Sequence, residues 1–142
     1  MRDKMNSIQI LNAISPVAAR TDNTAIVSSI IDTRGYDSLT FGIIIGTNTD
    51  TNATFAVTMD HGDAANLSDA ASVPAAQLVG TLALAGYDFS DDAESRKIGY
   101  IGARRYVRLT ITPSGNDAGN IFVAAAAILG HPAIAPTPNP PV

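Results

Sequence analysis

The sequence predicts an all-β fold: a single-domain antiparallel β-sandwich, or jelly-roll-like barrel, of seven or eight strands with an arm at each end. Three observations predict it. Residues Tyr106 to Thr112 alternate, with Val107, Leu109 and Ile111 on one face and Arg108, Thr110 and Thr112 on the other, which is the period of a half-buried strand. The same period of two recurs in Leu39, Phe41, Ile43 and Ile45, and again in Phe55, Val57 and Met59. Turn chemistry at Arg34-Gly35-Tyr36-Asp37, at Thr47 to Asn52 and at Pro113 to Asp117 separates such runs at the close spacing of a sandwich. A length of 142 residues fits one domain with a real core.

In chain order, residues 1–23 read as an N-terminal arm or edge segment in which Ile8, Ile10 and Leu11 can dock on a neighbour. The domain proper is expected over residues 24–130. Thr24 to Asp32 is a β-branched run and a first strand, and Ser38 to Gly46 is a second. Ile44 interrupts the polar half of that second strand, which marks its outward face as partly covered. Ala53 to Asp60 is a third strand, followed by a loop of small and acidic residues from His61 to Val73. Ala75 to Leu84 fits either a short helix or a strand. Tyr87 and Phe89 flank Asp88 in a short strand before the acidic turn at Ser90 to Glu94. Lys97 to Ile101 and Arg105 to Thr112 are strands joined through Gly102-Ala103-Arg104, and Asn120 to Leu129 is a final apolar strand read as core.

From Gly130 the composition changes. Five of the eight prolines lie in the last thirteen residues, so residues 131–142 form a proline-rich arm. In the polyproline conformation this arm reaches on the order of 30 Å. The sequence leaves open a frayed end or an arm laid across a neighbouring subunit; in the second case Pro132, Ile134, Pro136 and Pro138 are contact residues.

Charge and composition exclude several functions. A net charge of −4 disfavours nucleic acid and anionic membrane as partners. There is no cysteine, hence no disulfide and no thiolate metal site. No apolar run approaches the roughly 20 residues of a spanning helix, and the N-terminus lacks the apolar core of a signal peptide. Neither GxSxG nor HExxH occurs. His61 and His131 have no companion ligand cluster, and Asp88, Asp91, Asp92 and Glu94 lack the spacing of an EF-hand loop, so they read as a solvated turn. The expectation is a non-enzymatic protein with no catalytic residue, metal or cofactor.

Charge is also segregated along the chain. Residues 35–95 hold nine acids and no Lys or Arg, whereas Arg96, Lys97, Arg104, Arg105 and Arg108 follow with no acid among them. These five cations are candidate partner-binding residues, facing carboxylates of a neighbouring copy or of another protein. Salt bridges within the domain are an equally simple use.

Five segments carry a family resemblance: Ala25 to Asp32, Gly35 to Phe41, Arg96 to Gly102, Arg105 to Pro113, and the ending Leu129-Gly130-His131-Pro132 with its proline-rich tail. Over residues 16–142 the chain resembles small structural proteins encoded in the head gene clusters of tailed bacteriophages and prophages. The resemblance implies a virion component, and size and β character point to a capsid decoration, or cement, protein. Such proteins commonly sit as homotrimers on the capsid surface and clamp the major capsid protein. A head–tail connector, a tail component or a receptor- or carbohydrate-binding β-module shares the same composition.

Overall fold

The structure, a computed structural model, describes residues 3–141. It is an antiparallel β-sandwich. The strands are β1 (Ile8–Ile14), β2 (Ile26–Val27), β3 (Ile31–Asp32), β4 (Tyr36–Asn48), β5 (Thr54–Gly62), β6 (Ala71–Ser72), β7 (Leu78–Val79), β8 (Tyr87–Asp88), β9 (Ser95–Tyr100), β10 (Tyr106–Ser114) and β11 (Ile121–Pro132). One sheet has the order β1-β11-β4-β9-β7. The other has the order β2-β10-β5-β6, with β3 also on β10 and β8 also on β5. Successive strands mostly cross from one sheet to the other, and only β5 and β6 are neighbours in both sequence and space. That alternation gives the jelly-roll-like character. The described strands number more than the seven or eight expected because five of them, β2, β3, β6, β7 and β8, are two residues long.

The core lies between the sheets and follows the period of two. Leu39, Phe41, Ile43 and Ile45 of β4 face Phe55, Val57 and Met59 of β5 and Val107, Leu109 and Ile111 of β10, all buried. Each fully buried side chain of this size contributes about 1.5–3 kcal/mol. Val123, Ala125, Ala127 and Leu129 of β11 complete the layer. With few aromatic residues in the chain, the small β11 side chains sit beside the large ones of β4.

The structure makes four expectations more definite or corrects them. Of the arm or edge segment expected over residues 1–23, the described residues form an edge of the domain and not a separate arm. Ile8–Ile14 pairs with β11 over most of its length and buries Ala13 and Ile14, because its apolar residues have a sheet edge to complete. The run from Thr24 to Asp32 is broken. Val27 pairs with Thr110 and Ile31 with Val107, so one strand spends an extra residue, and the buried Ser28 hydroxyl takes up the Leu109 N–H at 2.9 Å. Ala75 to Leu84 is both alternatives in turn: a 3-10 turn at Ala75–Gln77, then β7, then a one-turn helix α1 (Leu82–Ala85) capped by the Thr81 hydroxyl. The C-terminal boundary also moves, since β11 continues to Pro132, which pairs with Tyr36.

The proline-rich tail does not extend away from the domain. It folds back onto the start of β1, where the Thr137 N–H donates to Asn6 O at 3.1 Å and its hydroxyl donates to Ile8 O at 2.5 Å. Thr137 is buried, while Ile134 is 83% exposed. The outer edge of β1 offers unpaired carbonyls that a passing polar side chain can satisfy, and Thr137 does so.

Candidate functional site

The segregated charges of the sequence are mixed in space, since the strands that carry them are neighbours. Arg108 stands directly across from Asp60 on the β10–β5 ladder, with their side chains 3.3 Å apart. Arg105 makes a two-pronged contact with Asp32, at 2.8 and 2.6 Å, and lies 4.8 Å from the centre of the Tyr106 ring. The hydrogen bond from Arg105 holds the Asp32 carboxyl below its ordinary pKa. Arg96 pairs with Glu94 and, at 2.9 Å, with Asp91. Arg104 reaches Asp69 at 3.9 Å. Internal pairing is therefore the use the fold makes of four of the five cations. Lys97 is exposed and makes no ion pair among the described residues.

The acidic turns are self-contained. Asp88 is held below its ordinary pKa by the Ser90 hydroxyl and N–H, and Asp91 accepts the Asp88 N–H at 2.9 Å. Asp92 accepts both the backbone and side-chain N–H of Asn48. Asp50 receives the N–H groups of Asp117 and Ala118, which lowers its pKa and locks the β10–β11 loop. These carboxylates act as turn locks. Among the described residues no group of three His, Cys, Asp or Glu is arranged to hold a metal ion.

His61 is buried and bonded through Nδ1 to the Tyr100 hydroxyl at 2.9 Å. That hydroxyl donates to Arg104 O and accepts from Arg104 N–H, each at 3.1 Å. With its proton committed to Arg104 O, the hydroxyl receives the His61 Nδ1–H. Burial lowers the His61 pKa. The trio pins the β9–β10 connection to β5. His131 is exposed beside Ser38 at 3.2 Å.

The feature without an internal explanation is the outer face of the five-stranded sheet. Its registers align Ile10, Ile128, Thr40, Gly99 and Val79 in one row across all five strands. The next row is Asn12, Ala126, Gly42 and Lys97, and the one after is Ala124, Ile44 and Ser95. Lys97 is the single charge in these rows. Ile10, Ile44, Val79 and Phe122 are exposed, at 53, 58, 58 and 45%. The second sheet differs: its outer face carries Thr58, Thr110 and Thr112 together with the Arg108–Asp60 pair. This face thus exposes large apolar side chains beside a single charge, the kind of patch that suits contact with another protein. The sequence carried two signals of it, Ile44 within β4 and the absence of any polar alternation in β11, and the second reads equally as a strand buried on both sides.

No protein-family profile matches the chain, and no characterised protein matches it in sequence. Solved structures resemble it in fold. The SPBc2 prophage-derived protein YomS is 12% identical, with 92% of this chain and 99% of that one covered and a TM-score of 0.47. The CBM35 module of Cellvibrio japonicus Abf62 is 11% identical over 86% of this chain and 94% of that one, with a TM-score of 0.45. The xylan-binding module CBM15 is 10% identical over 94% and 96%, with a TM-score of 0.39. No helix among the described residues is long and apolar enough to cross a membrane.

Proposed function

We propose that the chain is a non-enzymatic virion structural protein, a capsid decoration protein that docks on the assembled shell of the major capsid protein and stabilises it. The observation that carries the reading is the outer face of the β1-β11-β4-β9-β7 sheet, with its exposed Ile10, Ile44, Phe122 and Val79 and its single charge. A surface of this kind gains stability when another protein covers it. The sequence resemblance to phage head proteins supports the identity of that other protein. In this reading the protein works at the capsid surface, as a homotrimer by the same resemblance, with no nucleic acid, membrane or cofactor as partner. A sugar-binding module stacks aromatic rings on its ligand, and of the exposed large apolar side chains on this face among the described residues Phe122 is the one aromatic.

Co-sedimentation with shells assembled from the major capsid protein of the same genome tests the reading, with light scattering to count copies. The full chain is expected to bind shells, and Ile44→Glu to bind them poorly while melting as the parent does. A chain that never binds shells defeats the proposal.

A further inference from the structure

Next to the β7 edge, the outer face is concave. A groove of about 490 Å³ is lined by Thr40, Val79, Leu84, Lys97, Gly99 and Ile101, among others. Gly99 and Thr40 are direct partners across the β4–β9 ladder. A side chain at position 99 would stand 3.1 Å from the Val79 Cβ, so glycine is what lets β7 close over β9 and shape this end of the groove. Val79, Leu84 and Ile101 are 58, 74 and 61% exposed, an unusual state for three large apolar residues around one hollow. Lys97 is two residues along β9 from Gly99 on the same face, and the position across from it is Gly42. A Cβ at Gly42 would meet only Ile128 Cδ1, at 3.9 Å, so the space above the position across from Lys97 is open.

We infer that this groove binds an extended segment of another protein, carrying a single carboxylate between apolar side chains, with the carboxylate on Lys97 and the apolar groups on Val79, Leu84 and Ile101. The inference deepens the docking reading and rests on it for the identity of the partner, though not for the chemistry. Charge complementarity chooses the occupant. The groove and the rows around it hold one cation and no acid, while the other four cations of the basic stretch are already paired within the domain. A second copy docked face to face offers the groove only the same acid-free rows, so a covered Lys97 would find no anion there. An entirely apolar segment would leave the ammonium group buried and unpaired, with the same objection. A segment with one carboxylate meets both demands, and the ion pair fixes its register along the groove.

Selection from a display library of random peptides, performed in parallel on the full chain and on its Lys97→Gln and Lys97→Arg variants, tests the inference without any capsid protein. The full chain and Lys97→Arg should enrich peptides with one aspartate or glutamate between apolar residues. A peptide so selected should bind Lys97→Gln about tenfold more weakly or worse, the scale of a charge-assisted hydrogen bond removed from water. Its binding should also shift the amide signals of Gly42, Lys97 and Gly99. Enrichment without acids, equal enrichment by Lys97→Gln, or no enrichment at all overturns the inference. The shell-binding outcome is independent: a chain that binds shells with Lys97→Gln as well as with lysine loses the groove proposal and keeps the docking one.

Discussion

Asp60 and Arg108 face each other across the β5–β10 ladder, 3.3 Å apart on the outer face of the second sheet. They come from opposite charge blocks of the sequence, forty-eight residues apart. Antiparallel pairing of β5 with β10 brings the blocks together, so a pattern that reads as an adhesive surface along the chain becomes internal neutralisation in the fold. Arg108 Nε is buried and has no partner among the described residues, so the guanidinium depends on this one carboxylate.

A double-mutant cycle with Asp60→Asn and Arg108→Gln should give a coupling of about 0.5–1 kcal/mol, the upper part of the range for partly exposed pairs. Denaturant melts at low and at molar salt check it, with the coupling shrinking at high salt. A coupling of zero at low salt would mean the contact carries no energetic weight.

The core of the sandwich and the outer face of the first sheet should respond to truncation in opposite ways. Leu109→Ala, in the core, should cost about 2–5 kcal/mol. Ile44→Ala, on the outer face, should stay within about 0.5 kcal/mol of the parent. Equal losses at both positions would show that Ile44 is already covered within the monomer.

Stability should fall on acidification in two stages. Buried His61 has a depressed pKa, and Tyr100, Arg104, Asp60, Asp63 and Asp69 surround it. Below the ordinary histidine value, near about 6.5, the unfolded chain takes up a proton that the folded chain refuses, so stability drops as pH falls through that value. Asp32, Asp50, Asp69 and Asp88 are depressed too, and their contribution is lost below the ordinary carboxylate range as pH falls through their folded values. Denaturant melts from pH 5 to 7.5 should show the first stage in the parent and not in His61→Gln. Parallel pH curves for the two proteins would remove His61 from the account.

The tail should contribute to folding, contrary to what its composition implies. Thr137→Val removes the hydroxyl that donates to Ile8 O and Met5 O. It should cost about 1 kcal/mol and speed hydrogen exchange at the start of β1. An unchanged melt with unchanged exchange would reduce the tail to a passive end.

The long strands were legible in the sequence because each has one buried and one solvated face: Leu39 to Ile45, Phe55 to Met59 and Val107 to Ile111 announce themselves by contrast. The outer face of the first sheet was not, for the opposite reason. Ala124, Ala126 and Ile128 point outward from β11 while Ala125, Ala127 and Leu129 point inward, and a strand apolar on both sides gives no period to read. Long-range partners were equally hidden. Nothing near Ile8 reveals that β11 will flank it, nothing near Ser28 that its hydroxyl will serve Leu109, and nothing in the proline-rich tail that Thr137 will close on β1. Of the five cations in the basic stretch, Lys97 alone makes no ion pair among the described residues, because sheet geometry places Gly42, and no acid, across from it.

The central claim is that the β1-β11-β4-β9-β7 face is what this protein presents to the capsid. A reconstruction of the intact particle tests it most directly. The account predicts density for this chain on the shell, with that sheet turned toward the capsid subunits, Ile44 and Phe122 covered and a carboxylate beside Lys97. Density with this sheet turned to solvent, or a particle that lacks the chain altogether, would contradict it.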